Sequence, residues 1–286
     1  MSVVVFVELN EGELKKTSLE AIYYGAKVAE AMGGSTTALA IGQATEAELA
    51  KAGNYGATKV LHANDAQLTQ ANIMAYASVL VEAVKASGAS VVVTAKSSLA
   101  DPVTARAAAA LKAGIVGNVT ELPDVSAGFK VKRSIFTGKA FAETTISTAI
   151  KLVAIKKNAV SPVVTDAQAS VETFTPALDG GLFVSKVTET LKATGTVPLP
   201  EADIVVSGGR GMKGPEHWQP LLDLADALGA TTACSKPVSD LDWRPHHEHV
   251  GQTGVKFAPN LYIACGISGA IQHLAGVNSS KVIVVI

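Results

Sequence analysis

The sequence is poor in aromatic residues, in net charge and in cysteine, and each shortage removes a class of function. Phe, Trp and Tyr make up 5% of 286 residues, too few for the stacking platforms that hold single-stranded nucleic acids. Lys and Arg number 24 against 25 Asp and Glu, so a formal net charge of −1 offers no electrostatic case for nucleic acid or an anionic membrane. The two cysteines, Cys234 and Cys265, each end an apolar run and read as small buried hydrophobes rather than a disulfide or redox pair. No apolar run reaches the roughly 18 residues that a membrane span requires. The opening MSVVVFVELN has no basic segment ahead of its apolar one, so the expectation is a cytoplasmic protein without membrane insertion.

What is present is apolar sequence, 48% of the chain against 17% charged residues, enough for well-buried globular domains. The length suits two of them. Residues 1–115 alternate strand and helix signals. Val3–Val7 is a continuous apolar run, the pattern of a strand buried on both faces. Leu19–Met32 has helical periodicity, and Thr37–Ile41 reads as the next strand. Thr45-Glu-Ala-Glu carries an N-cap signature for a helix ending near Gly53. Lys59–His62 and Ser90–Thr94 are further strands, separated by a helix over Ala71–Ala86. Asp101-Pro102 then opens an alanine-rich helix that runs to Gly114. Repeated βα units imply a parallel sheet with helices on its faces.

From Val116 to about Phe174 the period changes. Segments such as 128–133 and 142–148 are β-branched and short, and they read as antiparallel strands appended to that sheet. This half carries neither a G-x-G-x-x-G turn nor a Walker loop, which leaves it as a packing surface for a partner. The Lys, Thr, Gly and Pro mixture of residues 186–202 suits a junction, giving an N-terminal domain over 1–188 and a C-terminal domain over 200–286.

The C-terminal half opens on the strand 203–207, which empties into Gly208-Gly209-Arg210-Gly211. A helix over Glu216–Leu228 stops at Gly229, and Thr231–Cys234 forms the next strand. The stretch from Gly251 to Gly276 then organises the rest. A glycine-bracketed GQTG loop precedes a strand over Leu261–Ala264, a tight turn at Cys265-Gly266, and a helix expected to open at Ser268 and stop at Gly276. A strand that passes through glycine into a helix N-terminus is a ready anion site. Arg210 adds a guanidinium at the carboxyl end of a strand, where open α/β sheets bind ligands. Lys236 and Thr253 fall on the same expected edge, and Gln272 and His273 follow one turn into the last helix. The run Arg244-Pro-His246-His247-Glu248-His249 matches no zinc spacing, and reads as a polar loop near the ligand rather than a metal site. The chain closes on the apolar strand Lys281–Ile286.

These motifs have a family likeness. SGGRG (Ser207–Gly211), VGQTG (Val250–Gly254), LYIACGISGAIQHLAG (Leu261–Gly276) and the closing KVIVVI together resemble the alpha subunit of electron-transfer flavoprotein, as do the VFVE opening and the domain order. The resemblance covers essentially the whole chain. It implies two Rossmann-like α/β domains with parallel sheets, the second carrying FAD, and a heterodimer with a beta subunit that holds AMP. It further implies an electron carrier, not a substrate-converting enzyme, that takes electrons from acyl-CoA and other flavin dehydrogenases and passes them to a membrane quinone oxidoreductase. Carried over residue by residue, Thr253 donates near flavin N5 and His273 reaches the O2 edge. The Ser268 turn and the Arg210 loop hold the pyrophosphate region, and Gln252 and Gln272 line the cofactor. Ser235, Lys236, Gly254 and Gly266 complete the expected set.

Two departures from the family pattern stand out. Lys236 occupies a place where the family more often has an arginine over the flavin ring, which keeps the charge and loses the planar stack. Related subunits also continue past the last strand through an Asn-Lys-Asp loop and a helix, so a shortened chain with weakened FAD contacts is expected. Two other readings remain at this point. An NAD-dependent oxidoreductase would require a G-x-G-x-x-G turn with an acidic residue about twenty positions on, found at the first strand of neither domain. A flavin-free scaffold subunit would keep the fold and lose the colour.

Overall fold

The computed structural model describes residues 1–185, 187–189 and 198–286; most of the expected junction, residues 186 and 190–197, lies outside them. The chain divides into two compact units, Met1–Glu189 and Thr190–Ile286.

The first unit is built on the strand β1 (Ser2–Val7), whose alternation explains two cores at once. Val3, Val5 and Val7 pack in one with Ile22, Tyr24 and Val28 of helix α1 (Lys16–Ala31). Val4 and Phe6 face the other, with residues of α3 (Ile73–Ser87) and α4 (Ala100–Leu111). Successive side chains of a strand point to opposite faces, so only an uninterrupted apolar run can serve both. Apart from a short hairpin of Leu9–Asn10 and Glu13–Leu14, the strands that join β1 are β2 (Ser35–Ile41), β3 (Lys59–Ala63), β4 (Ala89–Ala95), β5 (Gly114–Val119), β6 (Lys130–Ile135), β7 (Ala140–Thr145), β8 (Lys151–Ile155) and β9 (Ser170–Thr173). They form a nine-stranded sheet in the order β9-β3-β2-β1-β4-β8-β5-β6-β7.

Local chemistry sets the helix ends. Thr45 accepts from the Glu48 amide to start α2 (Glu46–Ala50), after which the chain tightens to a 3-10 turn over Lys51–Tyr55. Asn72 caps α3 through the Met74 and Ala75 amides, and Gly88 at φ 59° ends it. The alanine-rich helix stops at Leu111, earlier than expected, because Lys112 turns left-handed at φ 51° and Gly114 already belongs to β5. The antiparallel pair β6–β7 is appended at one edge. KLVAI (β8) differs from the expectation: it enters the middle of the sheet, parallel between β4 and β5. Its core residues Leu152 and Val153 are buried on opposite faces, the same two-sided apolar demand that β1 meets.

The second unit has five parallel strands: β10 (Ile204–Gly208), β11 (Thr231–Ser235), β12 (His249–Val250), β13 (Leu261–Cys265) and β14 (Val282–Val285), in the order β12-β11-β10-β13-β14. Helix α5 (Gln219–Leu228) starts after a 3-10 turn over Pro215–His217 and ends at Gly229, φ 58°. Val205, Tyr262 and Val277 lie in one core; Val206, Trp218, Cys234 and Ile263 lie in the other. Both sheets are mainly parallel, as βα patterning requires.

Candidate cofactor site

In the second unit β10 leads to β11 and then β12 on one side, whereas β13 and β14 lie on the other, so the strand order reverses between β10 and β13. A reversal of this kind opens a crevice at the carboxyl ends of the strands. Those ends are level: Gly208 pairs with both Cys234 and Cys265, and Ser235 pairs with Val250. Those strand ends, together with the loops and short helices that follow them, carry all ten residues singled out in the sequence.

The glycines of two of these loops serve each other. A Cβ on Gly209 would meet the Gly266 carbonyl oxygen at 2.1 Å, and one on Gly211 would meet Gly266 Cα at 2.7 Å. The Gly209 amide donates to the Cys265 carbonyl at 2.8 Å and the Gly211 amide to the Gly266 carbonyl at 2.9 Å. Gly266 itself takes φ +61°. The spacing Gly209-x-Gly211-x-x-Gly214 is that of a dinucleotide fingerprint, contrary to the sequence reading, but it leads into the 3-10 turn Arg210–Met212 and not into a helix. The Gly209 and Gly211 amides are spent on the neighbouring turn, so this glycine pattern locks two loops and leaves Arg210 exposed beside them.

The GQTG loop is pinned to α7 (Ile271–Val277). The Gln252 amide donates to the Gln272 carbonyl at 2.8 Å, and Gly276 packs so closely on Gly251 that a Cβ would come within 2.7 Å of its nitrogen. Gly276 is therefore a contact glycine inside the helix, not its stop; the C-cap is Asn278. Nor does the helix open at Ser268. It begins at Ile271 with Ala270 at the cap, and Ser268 sits exposed in the preceding loop. Gly269, at φ +72°, faces open space, which allows a ligand close to the backbone there. Gln252 and Thr253 are exposed on the GQTG loop and Gln272 on the first turn of α7, and a Cβ on Gly254 would meet the His249 carbonyl oxygen at 2.3 Å and its Nδ1 at 2.9 Å.

Ser235 ends β11 and Lys236 opens the short helix α6 (Lys236–Asp240), where its ammonium pairs with Asp240 at 3.1 Å across the surface. The Ser235 hydroxyl is buried and has no hydrogen-bond partner among the described residues; the same holds for Nδ1 of His249 and of His273. Unpartnered buried polar atoms are costly and rare, and here they cluster at one sheet edge. His273 lies buried inside α7 with Nε2 2.7 Å from the Tyr262 hydroxyl. Its pKa falls below the ordinary value, first because burial penalises the charged ring, then through His249. His249 is lowered for the same leading reason, with His246 and Lys236 adding to it. The site thus presents two surface cations and neutral buried imidazoles.

The polar run over 244–249, expected as a polar loop near the ligand, exposes His246 and His247 and turns Arg244 and Glu248 toward each other. Arg244 donates to Glu248 from Nη2 at 2.6 Å and from Nε at 2.8 Å, Thr232 joins at 3.0 Å, and the guanidinium lies over Trp218. This is an internal clasp. Among the described residues no group of three or more His, Cys, Asp or Glu is arranged to hold a metal. Both cysteines are free, and burial pushes the Cys234 thiol up to about 12, out of range for thiolate chemistry. Tyr262 is the residue that sequence reasoning passed over, and His249 was placed only as part of a polar loop near the ligand. A tyrosine in an otherwise apolar strand was the available signal, because a buried phenol seeks a partner.

A reversed parallel sheet with cations, glycine turns and unpartnered donors on one edge defines a cofactor-holding α/β protein. Residues 198–278 match the model of the electron transfer flavoprotein FAD-binding domain, and residues 3–179 that of the electron transfer flavoprotein domain. The electron transfer flavoprotein subunit alpha of Bacillus subtilis is 33% identical over 99% of this chain and 87% of its own length. That of Pseudomonas aeruginosa is 36% identical over 100% and 90% respectively. A protein of Caenorhabditis elegans named as a probable mitochondrial electron transfer flavoprotein subunit alpha is 33% identical over 100% and 84%. The chain belongs to the electron transfer flavoprotein alpha-subunit family. It is an FAD-containing electron carrier rather than a catalyst, which removes the NAD-dependent and flavin-free readings. The edge fits the cofactor: Ser235 and His273 offer partnerless polar atoms, Gly269 an open backbone, and Arg210 and Lys236 positive charge for a diphosphate.

Proposed function

We propose that this chain pairs with an electron transfer flavoprotein beta subunit and carries electrons from acyl-CoA dehydrogenases and other flavin dehydrogenases to a membrane quinone oxidoreductase, in the cytoplasm. The beta subunit, not this chain, holds AMP. When bound, FAD supplies the redox chemistry, and the protein supplies orientation and electrostatics. Ten residues do this: Arg210, Ser235, Lys236, Gln252, Thr253, Gly254, Gly266, Ser268, Gln272 and His273. The convergence of four level strand ends, with Ser235 and His273 carrying unpartnered polar atoms, is the observation that supports the assignment. Arg210 and Lys236 neutralise negative charge; Thr253 and Gln252 on the exposed loop and Gln272 on the exposed first turn of α7 supply hydrogen bonds. His273, neutral because it is buried, donates without adding a cation. Ser268 acts from the loop after β13, without a helix dipole behind it.

A visible absorption spectrum of the co-expressed alpha and beta chains, followed by stepwise dithionite reduction, tests this. A yellow protein that reduces in two one-electron stages is the expected result. A protein that stays colourless with added FAD would overturn it. Mixing the yellow protein with an acyl-CoA dehydrogenase and its substrate tests the donor: bleaching is expected, and no bleaching excludes that donor class.

A further inference from the structure

Tyr262 is 1% exposed, is the second residue of β13, and places its hydroxyl 2.7 Å from Nε2 of His273, with the Ser207 side chain also beside it. The His273 ring is itself 8% exposed, and its other nitrogen, Nδ1, is buried with no hydrogen-bond partner among the described residues. The groups facing this pair are the Ser207 hydroxyl on β10, beside the Tyr262 oxygen, Cys234 on β11, Cys265 on β13, His249 on β12 and the Val250 backbone, which favours a proton on the His273 ring. A buried phenol keeps its proton, and that proton requires an acceptor. The Nε2 lone pair of a neutral imidazole is the acceptor at hydrogen-bond distance. Which nitrogen of a histidine carries the proton is set by the bond that the other nitrogen makes.

We propose that Tyr262 is a positioning residue for the cofactor: its O–H donates to Nε2 and so holds His273 in the neutral tautomer with the proton on Nδ1. This rests on the placement of FAD at the same edge, and it adds a residue that acts through His273. His273 enters the site as a donor through one defined nitrogen, with its ring direction fixed by a bond to the strand beneath. The apolar neighbours of Tyr262, among them Phe257 with ring centroids 6.0 Å away, keep water from competing for the same lone pair.

The experiment uses the alpha–beta complex with FAD and [15N]histidine labelling. In the wild-type complex the His273 imidazole nitrogens should show a protonated Nδ1 and a bare, hydrogen-bonded Nε2. Tyr262→Phe should abolish that single pattern and shift the FAD one-electron reduction equilibrium about fivefold, the effect of one hydrogen bond. Tyr262→His, which restores a ring donor, should recover part of it. A wild-type ring protonated on Nε2, or one that mixes both tautomers, overturns the proposal, and that result needs no variant to fold. An unchanged tautomer pattern in Tyr262→Phe overturns it equally. The flavin spectrum of the same sample reports FAD binding separately. A colourless complex therefore counts against the FAD placement, while the tautomer is still read.

Discussion

Replacing Gly209 by alanine separates backbone interlock from ligand contact as the reason for the glycines in the second unit. Gly209 has φ −112° and ψ −178°, a conformation open to any residue, so alanine carries no dihedral penalty there. The obstacle is steric. Its Cβ would stand 2.1 Å from the Gly266 oxygen, 2.7 Å from the Gly266 carbonyl carbon and 2.8 Å from Ile267 Cα, all backbone atoms that no rotamer change can move. Overpacking of this kind costs about 1–3 kcal/mol. Separating the loops also strains the Gly209–Cys265 and Gly211–Gly266 hydrogen bonds, each worth about 1 kcal/mol. With both bonds lost the sum, about 3–5 kcal/mol, should lower the melting temperature of the second unit by roughly 10 °C or more, since a domain of this size loses several degrees per kcal/mol. Differential scanning calorimetry of the flavin-free complex reads this directly. Gly269→Ala is the comparison: its φ of +72° costs about 1 kcal/mol, and nothing stands within 4 Å. It should melt close to wild type and yet bind FAD less well. If Gly209→Ala melted no lower than Gly269→Ala, the interlock argument would be refuted.

Other expectations follow from the same geometry. Glu248→Ala leaves the half-buried Arg244 guanidinium without its two carboxylate bonds and should cost about 3 kcal/mol in urea denaturation; a loss no larger than that of a surface mutation would contradict the internal clasp. His249 and His273 have folded pKa values below the unfolded value of about 6.5. The unfolded chain therefore binds more protons as pH falls. Stability should be intact above that value and decline below it, by at most about 1.4 kcal/mol per pH unit for each histidine. Melting curves from pH 8 to 5.5 test the sign, His249→Gln should flatten the slope, and a flat wild-type profile would count against the burial argument. Lys236→Ala should lower FAD affinity severalfold while Lys236→Arg retains it, measured by titrating the flavin-free complex; equal affinities in all three would remove Lys236 from the site.

Much of the architecture was legible because burial on both faces of a strand leaves a one-dimensional mark. Val3–Val7 could serve two cores only as an unbroken apolar run, and Thr45 and Gly229 announced helix ends through side-chain or left-handed backbone chemistry, whereas Asn72, the cap of α3, fell inside the stretch read as helix. The family resemblance rested on loops, where GQTG and GISGAIQH are distinctive as strings. What those strings do locally was not legible. Gly276 looked like a helix stop and is a contact surface for Gly251; Ser268 looked like an N-cap and lies in the preceding loop, with Ala270 at the cap. KLVAI looked like more of an antiparallel series and sits at the centre of a parallel sheet. In each case the residue's conformation depends on a partner distant in the chain.

By itself, then, the sequence determined the βα class, the positions of most elements and the family, because propensity, periodicity and capping act within a few neighbouring residues. Tertiary structure alone decided which strand ends lie level, which glycines face glycines and that Tyr262 meets His273. Those pairings join β10 to β13 and β13 to α7, and no local rule in the chain specifies which nitrogen lies 2.7 Å from which oxygen.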